Sequence, residues 1–281
     1  MSKLKGLPTL YYLNLDERPD RREYTELQYD KLEISNFKRF SGSEYKFDNF
    51  IDWKERVILN DMSDCVRWRQ HIIEIAIAIS TLDMIKHWLT TTNEKHLLLM
   101  EDDYDYQFVD YWHFDWEYLM NHIPFDWDCI QLGFENEWEI PCFLHPIRSH
   151  HDYGPILINR PYAEKLMRLF TVGDQYDLSQ KIQNYKWGKM LDMPNRTIDY
   201  FMCHSGNTYC MPLISVNPHI GSYEQNFVRT DRPDLELSRK AYNKWWTVMR
   251  DEYTLEEFFM YGKPNDYVIT PQEPDIDDYY V

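Results

Sequence analysis

Apolar residues in this chain fall into short runs separated by polar stretches of helical pattern, and their order predicts strands alternating with helices. Leu10-Tyr11-Tyr12-Leu13-Asn14-Leu15 is β-rich and predicts a first strand. Asp16-Glu17-Arg18-Pro19-Asp20 holds turn and helix-start residues, and Asp20 as N-cap predicts a helix to Leu32 with Tyr24 and Leu27 facing inward. Phe37 to Phe40, closed by Ser41-Gly42-Ser43, predicts a second strand; Glu44 to Asp64 is irregular, a loop with a short helix. From Cys65 to Leu89 there is neither Gly nor Pro, and length favours a helix although Ile73, Ile75, Ile77 and Ile79 alternate as in a strand. It delivers the chain to His96-Leu97-Leu98-Leu99-Met100, a short buried strand, so strand, helix and strand succeed one another as in parallel α/β folds.

Further on, Tyr111 to His122 predicts a surface helix stopped by Pro124, and Trp127 to Gly133 a strand ended by glycine. Phe143 to Ile147, Pro155 to Ile158, Thr197 to Met202 and Leu213 to Val216 read as strands of a mixed sheet, with a helix over Arg160 to Phe170. Past Pro218 the composition changes. Asp234 to Arg250 is helical in pattern, Leu255 to Met260 extends it, and Thr270 to Val281 is acidic and proline-bearing. The expected division is a main α/β domain over residues 1–225 and a helical appendage with an acidic tail over 226–281.

Composition narrows the partners. A formal charge of −17 repels a phosphate backbone, and no Lys/Arg-rich run offsets it, so nucleic acid and anionic membrane are poor partners. Cys65, Cys129, Cys142, Cys203 and Cys210 contain no CxxC pair, which fits reduced thiols and a cytoplasmic location. Met1 to Leu10 lacks a long apolar h-region, and Ile72 to Ile79 is interrupted by Glu74 and too short to span a bilayer.

The strand at Leu97 runs straight into Glu101-Asp102-Asp103-Tyr104-Asp105. Carboxylates crowded at a strand tip repel one another and resist burial, so they call for a cation, and hard oxygen ligands suit Mn²⁺ or Mg²⁺. The carboxyl ends of strands in open α/β sheets are also where ligands sit, and a metal-bridged diphosphate is a natural occupant. A solvated acidic loop is the competing reading.

Three separated segments together resemble the family 25 glycosyltransferases, which include lipopolysaccharide sugar transferases and collagen galactosyltransferases. Tyr12 to Arg22 is similar to that family's first strand and arginine-bearing loop, and Leu97 to Asp103 to its Glu-Asp-Asp signature. Trp127-Asp128-Cys129-Ile130-Gln131-Leu132-Gly133 resembles its W-D-x-x-x-L-G strand. Gly154 to Leu166 and Ile198 to Phe201 are similar to its later glycine–strand–helix unit and its late aspartate. One departure is Thr81, which follows Ser80 where the family usually has histidine. The resemblance implies a GT-A (Rossmann-like) mixed sheet flanked by helices and a metal-dependent transfer of a hexose from a UDP-sugar, UDP-glucose or UDP-galactose, to a saccharide or other hydroxyl acceptor, with inversion.

Under that resemblance Asp103 is the main metal ligand, Glu101 reaches the metal or the ribose hydroxyls, and Asp105 is a reserve ligand on the same strand alternation. Asp102 points to the other face and is kept among the donor-binding candidates. His219, beside the Gly221 turn, is the expected further ligand, with a backbone-bonded loop histidine as the alternative. The nucleoside and ribose would lie against Leu13, Asn14, Leu15 and Arg18, with Arg21 near the diphosphate. Asp199, a carboxylate inside a strand-like segment, is the expected base, with Asp177 and Asp152 as alternatives. Competing functions are a nucleotidyltransferase with the same carboxylate–metal logic, a non-enzymatic divalent-cation-binding protein, and a zinc module from Cys142, His145, Cys203 and His204.

Overall fold

Alternation within the first apolar run splits the core in two. The computed structural model describes residues 2–59, 69–133, 142–146, 154–179, 183–184, 189–190, 198–217, 220 and 233–259. Strand β1 (Thr9–Asn14) sends Leu10 and Tyr12 to one face of the sheet and Tyr11 to the other. Helix α1 (Pro19–Lys31) carries the chain to β2 (Phe37–Ser41), parallel to β1. The short helix α2 (Phe50–Trp53) and strand β3 (Val57–Ile58) follow.

Helix α3 (Arg69–Thr91) confirms length over alternation: Ile72, Ile75, Ile79, Leu82 and Ile85 are buried at helical spacing, while Ile73 and Ile77 are only half-buried. It leads to β4 (His96–Glu101), parallel to β1 on the side opposite β2. Next come β5 (Tyr104–Asp105), α4 (Trp116–His122), β6 (Cys129–Gln131), the edge strand β7 (His145–Pro146), β8 (Ile156–Asn159) and α5 (Arg160–Phe170). Proline is tolerated in β7 because an edge strand leaves one row of backbone groups unpaired. The chain continues through β9 (Thr171–Val172), β10 (Gln175–Asp177), β11 (Gln183–Asn184), β12 (Lys189–Met190), α6 (Ile198–His204), β13 (Thr208–Cys210), β14 (Ser215–Val216), α7 (Pro233–Thr247) and α8 (Leu255–Phe259).

The main sheet has seven strands in the order β2-β1-β4-β8-β6-β13-β7. Pairs β2–β1, β1–β4 and β6–β13 are parallel; β4–β8, β8–β6 and β13–β7 are antiparallel. Helices cover both faces: α3, α5 and α6 pack on the side of Tyr11, Leu97 and Leu99, and α1, α4, α7 and α8 on the side of Leu10, Tyr12, Leu98 and Met100. This is the expected mixed α/β architecture, compatible with a Rossmann-like fold. Among the described residues no helix is long and apolar enough to cross a membrane.

Four local expectations change. Thr197 to Met202 reads as a strand, but Ile198–His204 is helix α6, burying Ile198, Phe201 and Met202 at i, i+3, i+4. The strand in that region is Thr208–Cys210, inserted between β6 and β7. The expected surface helix begins only at Trp116, capped by Asp115 accepting from the Tyr118 amide at 2.8 Å, and it buries Trp116 and Leu119. Leu27 is exposed, because α1 turns Arg21, Thr25 and Tyr29 inward instead. Residues 233–259 pack Tyr242, Trp246 and Phe258 fully into the same apolar cluster as Leu98 and Met100. The tail from Thr270 lies outside the described residues.

Gly133 is required by close approach. A Cβ there would meet the Ile214 carbonyl and, at 2.8 Å, the Pro155 ring, where Leu132 donates to Pro155 O and accepts from Leu213 and Ile214.

Candidate functional site

From β1 the chain goes to β2 on one side and returns through α3 to β4 on the other, so the topology switches direction between β1 and β4. Leu13 pairs with Glu101 at the carboxyl ends of these parallel strands. One residue further, Asn14 Nδ2 donates to Asp102 Oδ2 at 2.6 Å. Asn14 Nδ2 also reaches the Arg18 carbonyl at 3.1 Å, and Asn14 Oδ1 accepts from Arg39 Nε at 2.8 Å. One buried amide thereby joins β1, β2, β4 and the loop before α1.

Arg21, in the first turn of α1, is 6% exposed. Its Nη2 stands 2.9 Å from Asp102 Oδ1 and 2.6 Å from Asp103 Oδ2. Thr25, one turn further along α1, donates its hydroxyl to the Asp102 carbonyl at 3.0 Å. Beyond it Gln28 takes both backbone groups of the next segment, donating to Tyr104 O at 3.0 Å and accepting from the Tyr106 amide at 3.1 Å.

The expected alternation holds in burial. Glu101, Asp103 and Asp105 are half-buried; Asp102, Tyr104 and Tyr106 are buried. It survives a turn at Asp102-Asp103 because β5 pairs antiparallel with β14, with Ser215 opposite Asp105. The Asn217 amide donates to the Asp103 carbonyl at 2.7 Å, and Asn217 Nδ2 donates to Tyr24 Oη at 2.7 Å.

Burial pushes the Asp102 carboxyl up to about 6, with the Arg21 charge and the Asn14 hydrogen bond opposing and the Asp103 charge assisting. Burial alone would lower the pKa of Arg21; the charges of Asp103, Asp102 and Glu101 outweigh it and hold it above the ordinary arginine value. Tyr24 is pushed up to about 12, first by burial and then by the Asp105 charge.

The structure thus brings Asn14, Arg21, Asp102 and Asp103 together, with half-buried Leu13, Leu15, Arg18 and Glu101 around them. Arg18 is the N-cap residue of α1 and donates to Asp20 at 3.0 and 2.8 Å. Asp199 is the second residue of α6, so the argument that a strand buries its carboxylate does not apply. Asp177 closes a turn, its Oδ1 accepting from the Ser179 amide at 3.0 Å. His219 and Asp152 lie outside the described residues. Thr25, Gln28, Arg39 and Asn217 were not legible as site partners, because ordinary polar residues on a helix or strand carry no spacing that announces a distant partner.

The described residues of the acidic tip do not by themselves assemble a divalent-ion site, and His219, the expected further ligand, lies outside them. Among the described residues no three His, Cys, Asp or Glu side chains gather at ligating distance. Asp102 serves Asn14 and Arg21, Asp103 faces Arg21, and Asp105 Oδ1 accepts from the Gln107 amide at 2.7 Å. The zinc reading fails on topology, since Cys142 and Cys203 are buried in apolar clusters on opposite faces of the sheet.

Neither a protein-family model nor a curated protein matches this sequence. Among solved structures the chain is similar to A197 from STIV, at 13% identity and a TM-score of 0.36, over 74% of this chain and 84% of that one. It is also similar to the glycosyltransferase GlyE of Streptococcus pneumoniae TIGR4, at 13% identity and a TM-score of 0.29, over 87% of this chain and 62% of that one. At such scores neither protein's activity passes to this chain.

Proposed function

We propose that the protein is a glycosyltransferase that moves a hexose from a UDP-sugar, UDP-glucose or UDP-galactose, to the hydroxyl of a saccharide or related acceptor. The observation that supports this reading is the Asn14–Asp102–Arg21 cluster at the β1/β4 switch point, in the two segments that resemble family 25 glycosyltransferases. Leu13 and Leu15, half-buried at the end of β1, offer an apolar edge to the nucleoside, and Glu101 offers a carboxylate to ribose hydroxyls. The leaving diphosphate faces the start of α1, where Arg18 at the N-cap offers a guanidinium, paired with Asp20, that suits a phosphate. In the transfer the acceptor oxygen attacks the anomeric carbon as the bond to the diphosphate breaks, inverting that centre, and a base takes the acceptor proton. We assign the base to Asp199 in the first turn of α6, since Asp177 is engaged in its turn.

The test is release of UDP from UDP-glucose and UDP-galactose, alone and with saccharide acceptors. Release of UDP, faster when an acceptor is present, is the expected result. Diphosphate release from a nucleoside triphosphate would instead assign nucleotidyl transfer, and absence of any UDP binding by calorimetry would overturn the donor assignment.

A further inference from the structure

Cations are disfavoured in the first turn of a helix, where the dipole is positive, and a desolvated guanidinium is costly unless paired. Arg21 occupies such a position with 6% exposure. It is held there by the two carboxylates within 2.9 Å of its Nη2, Asp102 and Asp103. We infer that Arg21 is the resident cation of the acidic tip, taking the place between Asp102 and Asp103 that a divalent ion would need, so that the tip takes up neither Mn²⁺ nor Mg²⁺.

The neighbouring oxygens argue the same way. A hard cation such as Mg²⁺ needs about six oxygen ligands, several of them water. Here the second oxygen of Asp102 accepts from Asn14, the Asp102 carbonyl from Thr25, the Asp103 carbonyl from Asn217 and Asp105 Oδ1 from Gln107. A divalent ion at Asp103 would also sit against the guanidinium, and displacing Arg21 would strand a buried charge. A fixed guanidinium differs from a metal in consequence as well: it is always charged and cannot be removed by a chelator. The diphosphate then meets only charge built into the chain.

The bearing on donor binding rests on the proposed sugar transfer; the metal measurement does not. Mn²⁺ titration followed by the electron paramagnetic resonance of the free ion is run on the full chain, on Asp103→Asn, and on Arg21→Met and Arg21→Gln. The wild type is expected to bind Mn²⁺ within about threefold of Asp103→Asn, since both then report only the acidic surface. Removing Arg21 should open the site and tighten Mn²⁺ binding by at least about tenfold, a gain abolished in Arg21→Met/Asp103→Asn. Wild-type binding more than about tenfold tighter than Asp103→Asn would overturn the inference, as would folded Arg21 variants that gain nothing. If neither Arg21 variant folds, the comparison of wild type with Asp103→Asn decides alone. Calorimetry with UDP in EDTA and in Mn²⁺ should give affinities within about threefold; UDP binding that requires Mn²⁺ would overturn the inference. UDP binding in neither buffer would strike the sugar-donor reading, while the Mn²⁺ comparison would still judge Arg21.

Discussion

Asn14 and Asp102 face each other across the tips of two parallel strands, the amide donating to the carboxylate over 2.6 Å between residues 88 apart in sequence. The two are 2% and 4% exposed, so their bond is shielded from water. Their bond ties the ends of β1 and β4 together at the point where the sheet changes direction.

Replacing Asn14 with Ala leaves the buried Asp102 carboxylate without its amide donor and Arg39 without that acceptor. The expected loss is about 1.5–3 kcal/mol of unfolding free energy, the scale for hydrogen bonds to charged groups. Urea denaturation of the two proteins measures it, and a loss below about 0.5 kcal/mol would mean the bond is not structural.

Asp102 makes stability depend on pH. Its carboxyl, pushed up to about 6, holds a proton more tightly in the native protein than in the unfolded chain, where the ordinary value is 3.8. The native state binds more protons between about pH 4 and pH 6, so the contribution is fully present below that window and lost as pH rises through it. The stability difference between wild type and Asp102→Asn should therefore move against the wild type from pH 4 to pH 6, without added divalent ions. Denaturation curves at intervals across that range give the slope, and a slope of opposite sign would refute the assignment.

Trp246 is fully buried beside Phe114 and Phe258, and its indole nitrogen donates to the Pro212 carbonyl at 3.3 Å. Trp246→Ala should cost about 3–5 kcal/mol, the range for removing a core aromatic residue. Were α7 only loosely attached, thermal melting would show a change far smaller than that.

Asp199→Asn preserves shape and removes basicity. If Asp199 takes the acceptor proton, transfer falls by about 10²- to 10⁴-fold while UDP affinity is unchanged. A joint loss of melting temperature, UDP affinity and turnover would mark a structural ion pair, and undiminished transfer would remove Asp199 from the mechanism.

Periodicity along the chain determined most of the elements, because burial on one face of a helix or strand imposes a repeat that neighbouring residues show among themselves. The β1-α1-β2 unit, the long α3, the β4 strand and its acidic end are legible in that way, as is the alternation that half-exposes Glu101, Asp103 and Asp105 and buries Asp102. Short segments escaped it: over seven residues Ile198, Phe201 and Met202 satisfy a helix as well as their neighbours satisfy a strand, and packing against α3 decided. Polar burial escaped it too. Nothing local distinguishes Arg21 from Arg22, yet the first is buried between two carboxylates and the second is half-exposed beside Glu26. That difference is set by the register of β1 against β4 and by the angle at which α1 packs over them. The sequence therefore announced negative charge at a strand tip, and only the tertiary structure decided which cation meets it, since that depends on groups brought together across the fold.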